Sequence, residues 1–117
     1  MRVLLADREG TARRALASLL RSVPGVALVA EAGNREEIAA AMRRARPDVI
    51  VIDDRLVIGS SAHILTGAGP APFPIRVIVV GVDDDPAFAA RARRLGAEAW
   101  IAKDRADDQL PGFLEAC

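Results

Sequence analysis

The sequence predicts an α/β domain: a five-stranded parallel sheet covered on both faces by helices. Three observations carry this reading. Short apolar runs rich in β-branched residues recur at Val3 to Ala6, Val26 to Ala30, Val49 to Ile52, Val77 to Val80 and Ala99 to Ala102. Several of them lack the polar alternation of a half-exposed strand, so both of their faces are buried, as in a parallel sheet. The segments between them carry the three- and four-residue apolar spacing of amphipathic helices.

After the first run, Ala12, Ala15, Leu16, Leu19 and Leu20 form the inward stripe of a helix that ends at Pro24-Gly25, with Arg13, Arg14 and Arg21 directed elsewhere. The next helix opens at Asn34, a good cap with Glu37 three residues on, buries Ile38, Ala41, Met42 and Ala45, and stops at Pro47. After the third run, Ser60 to Thr66 has room for a short helix at most, and Gly67 to Pro74 (GAGPAPFP) is too rich in glycine and proline for regular structure. The fourth helix has Asp85 as cap and Pro86 at its first position, turns Phe88, Ala92 and Leu95 inward, and ends at Gly96. The last helix, within Asp107 to Ala116, is expected to be short or to begin late, because Pro111 and Gly112 lie near its start.

Five strands alternating with helical segments and joined by right-handed crossovers make a doubly wound sheet, with the flavodoxin-like order 2-1-3-4-5 as the leading topology. In that order ligands bind beyond the carboxyl ends of the first and third strands, where the winding reverses. The 117 residues fit one domain spanning 1–117, and 51% hydrophobic with 27% charged residues describes a globular chain with a real core. Sixteen basic residues balance sixteen acidic ones, so no global field draws the chain to nucleic acid or acidic lipid, and no DNA-binding module is expected within it. The single cysteine, Cys117, allows no internal disulfide. With no long uncharged apolar run, this leads to the expectation of a cytoplasmic protein that neither enters nor crosses a membrane.

At the predicted crevice, Asp7 ends the first strand and Asp53 the third. Two facing carboxylates can anchor a hard cation such as magnesium, which takes about six oxygens including several waters. Aspartate at a strand end also caps turns and helices, so the pair alone supports two readings. Lys103, the only lysine among sixteen basic residues, follows the fifth strand. It can reach a phosphoryl group or a carboxylate, or stand solvated at the surface. His63, the only histidine, has no neighbours suited to a metal site, and a surface role is the simpler reading.

These residues stand in a pattern that resembles the receiver domain of two-component response regulators, nearest to receivers that precede helix-turn-helix output domains. MRVLLAD resembles the receiver's first strand and its acidic end. RPDVIVIDDRL resembles the phosphoacceptor strand, with Asp53 in the place of the phosphorylated aspartate. RVIVVG followed by DDD resembles the fourth strand and its loop. LGAEAWIAKD resembles the segment ending in the receiver's lysine, with Lys103 in that place and Trp100 at the aromatic switch position. The resemblance implies a signalling domain rather than an enzyme. It implies phosphoryl transfer from a histidine kinase to Asp53, magnesium held by Asp7, Asp53 and the backbone carbonyl of Arg55, and Lys103 balancing the acyl phosphate. It also implies homodimers through the face of the fourth helix, fifth strand and last helix.

Three features depart from the pattern, one of them Asp54 with the irregular Leu56 to Pro74 segment, which stand in place of the usual proline-containing turn and full third helix. Receivers usually carry a second acid after the first strand, where this chain has Arg8, whose guanidinium could pair with Asp7 or Asp53 and weaken magnesium binding. At the end of the fourth strand receivers carry Ser or Thr, and here Gly81 offers no hydroxyl to draw the following loop inward. The departures favour an atypical receiver with impaired phosphorylation. A conventional magnesium-dependent phosphoacceptor and a pseudo-receiver that binds a small molecule are the alternatives.

Overall fold

The computed structural model describes residues 1–57, 75–82, 86–94 and 96–115. Along the chain they form β1 (Arg2–Ala6), α1 (Gly10–Arg21), β2 (Ala27–Ala32), α2 (Arg35–Ala45), β3 (Val49–Asp53), α3 (Asp54–Val57), β4 (Arg76–Gly81), α4 (Pro86–Arg94), β5 (Ala99–Ala102), a 3-10 turn (Lys103–Arg105) and α5 (Ala106–Glu115). The five strands pair in parallel in the order β2-β1-β3-β4-β5, the topology expected from the sequence.

The non-alternating runs are explained by two cores, one on each face of the sheet. Val3, Leu5, Val49, Val51, Ile78, Val80 and Ile101 point to one side, where Leu16 and Leu20 of α1 and Leu110 and Leu114 of α5 cover them. Leu4, Ala6, Ile50, Ile52, Val77 and Val79 point to the other, against Ile38 and Met42 of α2 and Ala92 of α4. Every residue of β3, the middle strand, is buried. An apolar side chain fully buried in this way contributes roughly 1.5–3 kcal/mol.

Helix α2 follows its sequence signals closely. Asn34 Oδ1 accepts the Glu37 N–H at 2.9 Å, and Glu37 reaches back to accept the Gly33 N–H at 2.6 Å. The helix closes on Arg46, at a left-handed φ of 46°, just before Pro47. Helix α4 runs over Pro86–Arg94; beyond it stands Gly96, whose φ of 97° suits a residue without Cβ, and the Gly96 and Ala97 N–H groups bond back to Arg93 and Ala92 carbonyls.

Three local expectations are corrected. On α1 the buried positions are Leu16, Ala17 and Leu20, whereas Ala15 is exposed, because the stripe is centred one position further along the helix. Leu56 does not open an irregular segment but lies in the helical turn Asp54–Val57, buried against the sheet. Helix α5 is neither short nor late: it runs for ten residues with Pro111 inside it. Its Ala106, Leu110 and Leu114, four residues apart, are all buried, and that packing offsets the hydrogen bond that proline removes. The expectations for Ser60 to Thr66, Gly67 to Pro74, His63, Asp85, Leu95 and Cys117 lie outside the described residues.

Candidate functional site

Strand register brings the predicted residues together. Ala6 pairs with Ile52 and Asp53 with Val80, so Asp7 and Asp53 leave adjacent strands at the same level. Gly81 pairs with Ala102, which places Lys103 one step beyond the same edge. Asp7 and Asp53 are the two buried charged residues among those described, with exposures of 0% and 2%.

Two buried carboxylates need compensation, and Lys103 supplies it. Its Nζ lies 2.8 Å from Asp7 Oδ2 and 3.6 Å from Asp53 Oδ1. The other Asp7 oxygen accepts the Glu9 N–H at 2.9 Å, and the Asp7 carbonyl accepts from the Arg13 guanidinium at 2.9 Å, which pins the β1–α1 loop. Asp7 Oδ2 has no hydrogen-bond partner beyond its contact with the ammonium. A buried oxygen held only by a cation suits a hard metal as well as a lysine, so Asp7 and Asp53 fit the magnesium that the family resemblance implies. They fit as two carboxylates without a third: no group of three or more His, Cys, Asp or Glu suited to a metal occurs among the described residues.

The expectation for Arg8 is corrected. Its side chain is exposed and makes no ion pair among the described residues, and the cation between the two aspartates is Lys103. Residue 8 lies within the turn closed by the Glu9 N–H on Asp7 Oδ1, and its side chain is exposed there.

Gly81 has a role that its missing hydroxyl did not suggest. A Cβ at this position would meet Asp54 Oδ2 at 2.8 Å, Asp54 Cγ at 3.0 Å and Trp100 Cζ2 at 3.0 Å. The carboxyl of Asp54 and the ring of Trp100 therefore fill the place of a side chain at the end of β4. Trp100 in turn stacks on Phe88 of α4, with ring centroids 6.2 Å apart and planes at 22°. The sequence marks Asp54 only as a departure after the third strand and does not place it at the end of β4. The available signal was a second aspartate after β3 combined with a glycine at the end of β4.

Burial pushes the Asp53 carboxyl above the ordinary aspartate value of 3.8, and a hydrogen bond with Asp54 pushes it the same way. The charge of Lys103 and the Arg55 N–H, 3.4 Å from Asp53 Oδ1, pull it back. The arrangement is an aspartate pair at a sheet's switch point, with a lysine across it and an aromatic behind.

A doubly wound sheet with that acid-and-lysine edge defines the class of α/β signalling domains. The chain belongs to the response regulator receiver domain family, whose model matches residues 3–115. Its relatives include the oxygen regulatory protein NreC of Staphylococcus epidermidis, 26% identical over 111 residues that cover 94% of this chain and 51% of that protein. The chain thus spans about half the length of the curated relatives it matches. Among solved structures it is similar to a two-component response regulator of the LuxR family from Aurantimonas, with a TM-score of 0.83 and 26% identity over 98% of this chain and 82% of that one. It is also similar to a structure of CheY6 in complex with the P1 domain of CheA3 from R. sphaeroides, with a TM-score of 0.75 and 25% identity over 87% of this chain and 81% of that one. These relatives bear out the expected kinship with receivers of transcription regulators. Among the described residues, no helix is long and apolar enough to cross a membrane.

Proposed function

We propose that this receiver is atypical: Asp53 stands in the phosphoacceptor position but accepts a phosphoryl group poorly. The observation that carries this is the filling of the β4 end. The space that would hold a Ser or Thr side chain contains the Asp54 carboxyl, within 2.8 Å of where a Gly81 Cβ would stand. A carboxylate there repels an incoming phosphoryl group where a hydroxyl would bind it. The raised affinity of Asp53 for its proton works in the same direction, because the ionised carboxylate is the nucleophile.

In a conventional receiver reaction, an Asp53 oxygen attacks phosphorus, the bond from phosphorus to the kinase histidine breaks, and an acyl phosphate forms. Asp7 and Asp53, with the Arg55 carbonyl, would hold magnesium, which stabilises the charge on the transferring group. Lys103 would move from the two carboxylates to the acyl phosphate. This conventional reading is the second one, favoured by the convergence of Lys103 on both aspartates. The absence of a second acid at Arg8 keeps magnesium binding weak in either reading.

As a signalling domain the chain performs no catalysis on a released substrate. Its partner in phosphotransfer is a histidine kinase, a reading supported by the CheY6 structure, which is a complex with a CheA3 domain. Homodimers through α4, β5 and α5 complete the proposal; Phe113 of α5 is a large apolar side chain left 38% exposed. The location is cytoplasmic.

Intact mass after incubation with magnesium and acetyl phosphate tests the proposal, with Asp53→Asn and an ordinary receiver as controls. Little or no phosphoryl increment is expected under conditions that label the ordinary receiver fully. Full labelling lost in Asp53→Asn would establish the conventional reading instead.

A further inference from the structure

Three arginines from three separate elements line one open cleft of ≈ 480 Å³: Arg8 after β1, Arg35 at the start of α2 and Arg55 in α3, with Gly33, Asn34 and Glu36 beside them. Asp7, Asp53 and Lys103 do not line it. We propose that this cleft is a metal-independent binding site for a small phosphorylated molecule, held through its phosphomonoester dianion.

The charges argue for an anion. Three guanidinium groups face one carboxylate, that of Glu36. Elsewhere Arg13 and Arg21 share Glu31, and Arg76 takes Glu98. Arg8 and Arg55 are exposed and make no ion pair among the described residues. Glu37, the nearest further acid on α2, is engaged with the Gly33 N–H. Arg35 is steadied across the cleft by its Nε contact with the Leu56 carbonyl at 3.4 Å. An anion bound in the cleft would relieve the repulsion between the Arg8 and Arg55 charges.

Geometry narrows the class. Guanidinium forks match phosphate oxygens bidentately, and a dianion answers the excess charge better than a single carboxylate. The amino end of α2 opens on the same cleft and adds its positive dipole end. The volume lies within the roughly 300–1,000 Å³ typical of small-molecule pockets, which leaves room for an organic body beside the phosphate. The site stands whether or not Asp53 accepts a phosphoryl group.

The test is titration calorimetry on the full chain in a chelator, with adenosine 5′-monophosphate and inorganic phosphate as probes and chloride at matched ionic strength as control. Saturable binding of the nucleotide with a Kd at or below about 1 mM is expected. It should be equal in the native chain and Asp53→Asn, and weakened at least about tenfold in Arg8→Ala/Arg55→Ala, a loss of about 1.4 kcal/mol. Circular dichroism establishes that the double variant is folded, as two exposed side chains predict. Failure of both probes to saturate, or an affinity unchanged in the arginine variant, would overturn the site. Neither readout depends on phosphorylation, so this proposal and the impaired-receiver reading can fail separately.

Discussion

The carboxyl of Asp54 occupies the space that a side chain on Gly81 would need, so that a Cβ at residue 81 would stand 2.8 Å from Asp54 Oδ2. The two residues are therefore coupled: each is compatible with the site because of the other. Gly81→Ser is expected to destabilise by about 1–3 kcal/mol, since the Asp54 carboxyl and the Trp100 ring must both give way. In an Asp54→Ala background the same change should cost less, with a coupling of about 1 kcal/mol between the sites. Urea denaturation of the four members of the cycle measures it, and additive costs would refute the coupling. The double variant should also accept more phosphoryl group from acetyl phosphate than the native chain.

Lys103 carries the charge balance of the site. Its ammonium is 2.8 Å from one buried carboxylate and 3.6 Å from another. Lys103→Met keeps the apolar stem but strands both acids. Breaking a buried pair in this way costs about 3–5 kcal/mol, and the partial exposure of Lys103, 18%, puts the expected loss at the lower end of that range. Thermal unfolding at neutral pH tests this. Adding Asp7→Asn to Lys103→Met should recover part of the lost stability, and no recovery would mean that the lysine acts through packing alone.

The sheet was legible because its signals are local and redundant: unbroken apolar runs for β3 and β4, the Asn34 cap and Pro47 stop of α2, and Pro86 and Gly96 around α4. The site's position followed from topology, because Asp7 and Asp53 end strands that this order makes neighbours. What escaped were relations between side chains. That Asp54 turns toward the glycine of another strand depends on register and on space left by a missing Cβ, which spacing along the chain does not encode. Arg8 misled for a similar reason, since a charge next to Asp7 in sequence lies exposed within the turn that the Glu9 N–H closes. Helix α5 escaped because Pro111 is a strong local signal that burial of Leu110 and Leu114 outweighs.

Pro111 remains a local cost within that helix. Proline in a helix interior disfavours it by about 3 kcal/mol relative to alanine, through the lost N–H and the crowding of the preceding turn. Pro111→Ala is accordingly expected to stabilise the domain by about 1–3 kcal/mol, with some of the gain lost because residue 111 is half-buried. A raised urea midpoint with an unchanged slope would bear this out. A lower midpoint would show that the ring's packing matters more than the backbone bond.

Asp53 makes the domain's stability depend on pH in the direction opposite to that of a surface salt-bridged aspartate. Burial and the hydrogen bond with Asp54 raise its folded pKa above the unfolded value near 3.8. The folded state therefore holds this proton more tightly than the unfolded chain does. Its contribution to stability is fully present below the unfolded pKa and is lost as pH rises through the folded one. At neutral pH the ionised carboxylate is a burden that Lys103 only partly relieves. Asp53→Asn, which keeps the shape and removes the charge, should then be more stable than the native chain at pH 7–8. That advantage should shrink as pH falls toward the ordinary aspartate range. Melting temperatures of both chains across this interval test the linkage. A variant less stable than the native chain at neutral pH, with the gap closing in acid, would show that Lys103 more than offsets the burial of Asp53.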